Sequence, residues 1–356
     1  MNLHYYPYKL PFKRTFKTAA GSFDHRTGLF LELSVEGRSI WSEVAPLPGF
    51  SLESVEEVRS WLDRHGRKLV SRFDQTSNID TTDELQSAPP SVQFGLSALF
   101  HLHQAERRKM PLFRYLNPKA SHTLPVNATL GMTNLDNALK QVSEFYRQGY
   151  RTVKIKTGRD IDAEAELLEQ INKAFPELTL RLDANRAWEF DQAVSNLNRL
   201  AAFSPEYCEE PLFNPDSDSL ARLREQVEIP IAADESIRKP EEAHNLISNN
   251  SVDVLILKPM LLGSVSTIRD ITRFAGDHHV PCIFTTSLEA GIGRFLTGHL
   301  AAALGSPDHA SGLATGSLLE KDVIQDDRFI SNGQLQLSKS AGIERFLAVD
   351  PREFGL

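Results

Sequence analysis

The sequence predicts an α/β protein: a closed barrel of parallel strands preceded by a smaller α+β cap. Three observations carry this. From about Leu124, short runs rich in Val, Ile and Leu alternate with helical stretches, the pattern of a parallel sheet covered on both faces. Asp183, Glu209, Asp234 and Lys258 follow one another at intervals of 26, 25 and 24 residues, each long enough for one strand, one helix and two short loops. The first hundred or so residues differ in texture, with strands followed by helices.

In the cap, LFLELSVEGRSIWSEVAP alternates around Glu36-Gly37 and reads as an antiparallel hairpin. Ser51 to Phe73 has helical periodicity, with Ser51 and Ser54 offering N-cap chemistry ahead of Val55, Val58, Trp61 and Leu62. Pro89-Pro90 breaks the chain before a second helix, in which Val92, Leu96, Leu99 and Phe100 recur at helical spacing. Seven barrel strands follow: PVNATL, TVKIKT, LTLRLD, EYCEEP, IPIAAD, DVLILK and PCIFTTS. Their regular spacing favours a closed barrel over an open doubly wound sheet, and an eighth strand is expected near HASGLATG. From about Asp326 the chain is expected to return to the cap, GQLQLS having the look of an edge strand. The expected division is cap 1–120, barrel 121–325 and a returning segment 326–356.

Composition narrows the function. A length of 356 residues buries a substantial core, and a formal net charge of −8 gives no footprint for nucleic acid or an anionic membrane. Cys208 and Cys282 are the only cysteines, which points to two reduced core thiols rather than a disulfide framework. The N-terminus, MNLHYYPYKLPFKR, lacks the apolar stretch of a signal peptide, and no run is long enough to span a membrane. The expectation is a cytoplasmic enzyme acting on a small molecule, as a monomer or homo-oligomer, without nucleic-acid or membrane partners.

Charges at successive strand ends of such a barrel converge on one mouth. Lys154 and Lys156 stand two apart on one strand and share a face. Two ammonium groups held close disfavour their charged forms, which brings a lysine towards general-base work. A solvated pair at a strand end is the plainer alternative. Asp183, Glu209 and Asp234 offer hard oxygen ligands at three consecutive strand ends, suited to Mg²⁺, with Mn²⁺ also accepted. Each acid is also a fit cap for the helix that follows, although three in series flanked by lysines favour the metal reading. Alternation turns the neighbouring Glu210 and Glu235 away, and the choice of Glu209 over Glu210 rests on that alone. Lys258 faces the second strand across the barrel. Arg181, two before Asp183, shares its face and either reaches substrate or neutralises the acids. Trp188, Phe94 and Phe100 read as core.

These motifs carry a family resemblance that extends over nearly the whole chain. KIK at Lys154 to Lys156, RLDANRAW at Arg181 to Trp188, EEP at Glu209 to Pro211, ADES at Ala233 to Ser236, LKPMLLGS at Leu257 to Ser264 and TTSLEAGIG at Thr285 to Gly293 occur in order. With the cap stretches SEVAPLPGFSLES and PPSVQFGLSAL, they resemble the muconate-lactonizing subgroup of the enolase superfamily, and within it the o-succinylbenzoate synthase family. The resemblance implies a modified TIM barrel, (β/α)₇β, under an α+β capping domain that closes over the substrate. It implies a carboxylate substrate whose α-proton is removed by Lys156, with Lys154 holding the carboxylate, Lys258 on the opposite face, and Mg²⁺ on Asp183, Glu209 and Asp234. Lys156 then returns a proton to the departing hydroxyl, a syn elimination in menaquinone biosynthesis. Around the substrate it implies Arg181, Asn185, Thr285, Thr286, Ser287, the backbone N–H groups about Gly291 to Gly293, and a cap loop from Phe16 to Arg26 with Gly21 and Ser22. The strand-end groups also fit a plain turn into a helix.

Rival readings share the scaffold. A dipeptide epimerase or N-acylamino acid racemase would use both Lys156 and Lys258, but the Asp-x-Asp that holds a substrate amine has no counterpart in HASGLATGSLLEKD. A muconate-type cycloisomerase fits the cap motifs less well, and a non-catalytic metal-binding barrel leaves the lysines on both walls without a task.

Overall fold

The computed structural model describes residues 1–18, 21–324, 326–339 and 342–354. Strand β1 (Asn2–Thr18), β2 (Gly21–Val35) and β3 (Arg38–Val44) form an antiparallel cap sheet in that order. Glu36 and Gly37 join β2 to β3 with φ of 49° and 78°, the left-handed pair that a tight hairpin requires. The segment Phe16 to Arg26, expected as a loop, instead prolongs the β1–β2 ribbon beyond a bulge between Pro11 and Phe16. Pairing there gives backbone groups partners that a loop would leave to water. Ala19 and Ala20 lie outside the described residues.

Ser54 caps the helix Val55–Trp61 through a capping box with Glu57, as its sequence signals. The helix Pro90–Arg107 begins on a proline at its first turn, where a missing N–H costs nothing. It packs on β3, Ser42 Oγ donating to the Gly95 carbonyl at 2.7 Å. Phe94, Phe100 and Trp188 are core residues.

After a short strand β4 (Thr123–Pro125) come β5 (Ala128–Leu130), β6 (Thr152–Lys156), β7 (Thr179–Asp183), β8 (Cys208–Glu209), β9 (Ile231–Ala233), β10 (Val254–Leu257) and β11 (Cys282–Phe284). These seven pair in parallel in sequence order, β5 to β11. The expected eighth strand is reduced to bridges: Ser311 pairs with Val126 beside β5, and Gly312 pairs with Thr285 beside β11. One short segment thus touches both edges and closes the cylinder. Outward residues such as Val153, Leu182, Cys208 and Leu255 join the main core, while Tyr207, Ala232, Val254, Ile256 and Ile283 form a separate cluster. Strand alternation places that second set inside the barrel. Both cysteines are free and buried.

The end of the chain corrects one expectation. β13 (Gln334–Gln336) pairs with β12 (Ile330–Ser331) and with β4, not with the cap sheet. Register explains the choice: Leu335 opposes Leu124, which buries both against the barrel. Contact with the cap comes later, where Arg352 approaches Glu32 at 3.8 Å. No helix of the described residues is long and apolar enough to cross a membrane.

Arg181 occupies the barrel floor. Its guanidinium donates to Glu206 Oε2 at 2.6 Å, the Ala310 carbonyl at 2.6 Å and Asn127 Oδ1 at 3.3 Å, and lies over the Tyr207 ring. Although it shares the face of Asp183, these partners keep it one layer below the mouth, which corrects its expected role at the substrate. His309 and Arg181 outweigh burial and hold the Glu206 carboxyl down at about 2. A depressed carboxylate contributes stability above its unfolded value that is lost as pH falls towards the folded one. Between pH 4.5 and about 2, the wild type is therefore expected to lose more stability than Glu206→Gln, measured by urea unfolding at stepped pH. Parallel losses would show that this pair does not carry the acid sensitivity.

Candidate active site

The strand ends bring the predicted charges together at the mouth. In the parallel register Lys156 stands beside Asp183, and Asp183 beside Glu209. Lys154 Nζ lies 2.8 Å from both Asp183 Oδ2 and Glu209 Oε1. Lys156 Nζ lies 2.7 Å from the same Asp183 oxygen and also donates to Asn185 Oδ1. On the far side Lys258 Nζ donates to Asp234 Oδ1 and sits 5.6 Å over the Phe50 ring. Three strands separate β6 from β10, so in an eight-membered cylinder the two lysines face each other.

Alternation separates the two adjacent acids. Glu209 points inward to Lys154, whereas Glu210, at φ 44°, folds the other way. Its carboxylate accepts the N–H groups of Asp234 and Ser236 at 2.9 and 2.7 Å, the Ser236 hydroxyl at 3.0 Å and Arg186 Nε–H at 3.2 Å. Glu210 therefore holds the Asp234–Ser236 turn in place. Burial, reinforced by Glu235, pushes its carboxyl up to about 7.

The lysine pair does not behave as two isolated like charges. Burial lowers the Lys154 ammonium's affinity for its proton, but Asp183, Glu209 and Asp234 outweigh it and hold Lys154 well above the ordinary value. The mutual repulsion expected from sequence is overridden by the carboxylate between the two ammonium groups. The Asp183 carboxyl is held well below its usual range, since both lysines outweigh its burial. Lys258 is raised against the effect of burial, chiefly by Asp234 and then Glu235.

Among the described residues, no three His, Cys, Asp or Glu side chains already converge as metal ligands, the three carboxylates being engaged by ammonium groups. The donor set nevertheless fits a hard divalent cation. Asp183, Glu209 and Asp234 are buried on neighbouring strand ends. Burial drives the Glu209 carboxyl well above its ordinary value, and the charges of Asp183 and Asp234 add to this against the pull of Lys154. At Glu209 the pull of Lys154 does not offset burial and the neighbouring acids, and a dication bound there would favour its charged form.

The groups expected around the substrate at the end of β11 have partners within the protein. Thr285 Oγ1 donates to the Gly312 carbonyl, Thr286 Oγ1 meets Thr315 Oγ1 at 2.9 Å, and Ser287 Oγ donates to Glu289. Gly291 N–H donates to Asp322 at 2.7 Å and Gly293 N–H to Glu43 at 2.7 Å. A helix N-terminus attracts anions, and here the protein supplies its own. Gly21 and Ser22 lie at the exposed end of the cap ribbon, opposite Thr18 and Lys17.

Two residues of the mouth escaped the sequence reading. Phe50 arrives on the tight turn after Pro48-Gly49, where Gly49 has φ 82°; the Pro-Gly pair marks a turn but not its destination. Glu235 receives Asn185 Nδ2–H at 2.9 Å, so it is tied through Asn185 to Lys156. Alternation fails for Glu235 because β9 ends at Ala233.

The chain is similar to known proteins over most of its length. Residues 137–344 match the family model described as enolase C-terminal domain-like, and residues 1–102 match the MenC N-terminal domain. The o-succinylbenzoate synthase of Thermobifida fusca is 34% identical over 236 residues, 64% of this chain and 72% of that one. That of Mycobacterium bovis is 37% identical over 214 residues, 58% of this chain, and the match spans only 62% of its length. Two solved structures share the fold at lower identity. A muconate lactonizing enzyme from Pseudomonas fluorescens complexed with muconolactone gives a TM-score of 0.85 at 22% identity, covering 98% of this chain and 96% of that one. A dipeptide epimerase from Enterococcus faecalis complexed with Mg and a dipeptide gives 0.83 at 24% identity, covering 96% and 97%.

Removing one partner of a buried ion pair leaves a charge uncompensated, at a cost of about 3–5 kcal/mol. Lys154→Met is therefore expected to lose about that much stability in EDTA, read by urea unfolding, with part recovered on adding Mg²⁺. Unchanged stability in EDTA would mean that Lys154 does not neutralise the cluster.

Proposed function

The chain belongs to the enolase C-terminal domain-like family, and on that premise we propose that it is a divalent-metal-dependent lyase, an o-succinylbenzoate synthase. The reaction is syn dehydration of 2-succinyl-6-hydroxy-2,4-cyclohexadiene-1-carboxylate to 2-succinylbenzoate. One observation carries the reading: residues 1–102, matching the MenC N-terminal domain, cap a mouth where Lys156 and Lys258 face each other across three buried carboxylates.

Lys156 is the more open of the two β6 lysines, its side chain 31% exposed against 18% for Lys154. Asp183 and Asn185 fix its ammonium nitrogen at the rim. In its neutral form this nitrogen removes the proton α to the ring carboxylate, then delivers it to the hydroxyl leaving from the same face. Lys154, kept protonated by its acids, holds the substrate carboxylate as a fixed cation. Lys258 is charged as well, and from the opposite wall it balances the negative charge that develops on the ring. Asp183, Glu209 and Asp234 would hold Mg²⁺, with Mn²⁺ as the alternative, whose Lewis acidity neutralises carboxylate charge. Aromatisation makes the loss of water strongly downhill.

A second reading has one observation in its favour. The same opposed lysines suit proton removal and return on opposite faces, as epimerisation of a dipeptide or an N-succinyl amino acid demands, and a dipeptide epimerase shares the fold.

Purified protein with Mg²⁺ is expected to dehydrate the cyclohexadiene acid faster than it epimerises a panel of dipeptides and N-succinyl amino acids. Epimerisation without dehydration would sink the synthase reading. Lys156→Ala should lower turnover at least about 10³-fold with an unchanged circular dichroism spectrum, because general-base removal costs rates of this order. Asp234→Asn is expected to weaken Mg²⁺ binding in calorimetric titration, and an unchanged isotherm would remove Asp234 from the ligand set.

A further inference from the structure

The loop that follows β11 is held from the cap by two buried charged residues. Arg26, midway along the β1–β2 ribbon opposite Leu10, is 1% exposed. Its hydrogen bonds to the rest of the protein end on backbone carbonyls: Nε on Leu288 at 3.0 Å, Nη1 on Thr27 and Pro46 at 2.7 and 2.8 Å, and Nη2 on Ala45 and, at 3.4 Å, on Ser287. Glu43 on β3 grips the same loop by its amides. It accepts Ala290 N–H at 2.9 Å and Gly293 N–H at 2.7 Å, and is itself fixed by the Tyr8 hydroxyl at 2.5 Å. The guanidinium takes carbonyls and the carboxyl oxygens take amides, so the two cap residues read opposite polarities of one short stretch of backbone.

Two further observations show that the arrangement is built. Leu288 has φ 62°, a conformation unfavourable for a branched side chain, and its carbonyl is the one Arg26 Nε–H reaches. Gly293 leaves room for the acid: a Cβ there would stand 3.1 Å from Glu43 Oε2 and 2.7 Å from the Glu289 Cβ. The contacts also span the mouth. Ala45 and Pro46 lead directly into the turn that carries Phe50 under Lys258, and Ser287 and Leu288 follow the Thr285–Thr286 strand end. A single guanidinium therefore sets the distance between a cap wall and a barrel wall.

We propose that Arg26 and Glu43 brace the backbone from Ser287 to Gly293 against the cap, making Arg26 a positioning residue for the end of the substrate remote from Lys156. Its placement of that end rests on the dehydratase reading above; the brace itself does not. The substrate part so positioned is the flexible side arm with its own carboxylate, since Lys154 and Lys156 take the ring end. A lysine cannot replace this arginine, because a single ammonium cannot reach carbonyls on both walls at once.

The test compares wild type, Arg26→Lys and Glu43→Gln as full-length protein with Mg²⁺. By hydrogen-exchange mass spectrometry, peptides covering residues 285–293 are expected to exchange at least about tenfold faster in both variants, while peptides covering 152–156 and 179–185 keep wild-type protection. In dehydration kinetics, KM is expected to rise about tenfold with kcat within about threefold, the signature of lost uniform binding. Unchanged exchange at 285–293, equal acceleration everywhere, or a fall in kcat at constant KM would each overturn the proposal. The exchange measurement needs no turnover, so it decides the brace even if wild-type protein fails to dehydrate the substrate.

Discussion

Three carboxylates buried side by side repel one another, and the mouth of this barrel depends on the lysines that stand between them. From Lys156 through Asp183, Lys154 and Glu209, and on the far side from Lys258 to Asp234, each contact joins a positive group to a negative one, with lysines on the outer two of five adjacent strands and acids on the three between. No strand supplies both signs at its mouth, so the cluster exists only when the parallel register is correct. This couples chemistry to topology: a slip of one residue would turn these side chains into the apolar layer under the helices.

Much of this was legible in the sequence because it is local and periodic. Strand alternation puts Glu209 inside and Glu210 outside, and the interval near 25 residues repeats the strand–helix unit that the barrel consists of. All seven strands lie within the apolar runs that marked them. What escaped was non-local. The partners of Arg181 are Glu206, Asn127 and the Ala310 carbonyl, and nothing near Arg181 in the chain announces the last two. The N–H groups of Gly291 and Gly293 looked free for a ligand because Asp322 and Glu43 are distant in sequence. GQLQLS was read correctly as a strand, but pairing partners are not encoded in alternation, and β4 took the place expected of the cap.

The cap contributes to the mouth through few residues. Phe50 gives Lys258 an aromatic face, which favours its charged form while excluding water from one side. Arg26 and Glu43 fasten the neighbouring backbone by hydrogen bonds to main-chain atoms rather than to side chains. Backbone contacts of this kind survive side-chain replacement at positions such as Ser287 and Leu288, but not at Gly293, where a Cβ would crowd Glu43 and Glu289.

The reduced eighth strand has a mechanical consequence. Elsewhere around the cylinder neighbouring strands are laced by ladders, but among the described residues β5 and β11 meet only through the bridges at Ser311 and Gly312. Shear along that line meets the least resistance from the main chain, and side chains such as Asn127, Arg181 and Thr285 supply much of what holds it. The circumference of the barrel is therefore fixed on most of its seams and adjustable on one.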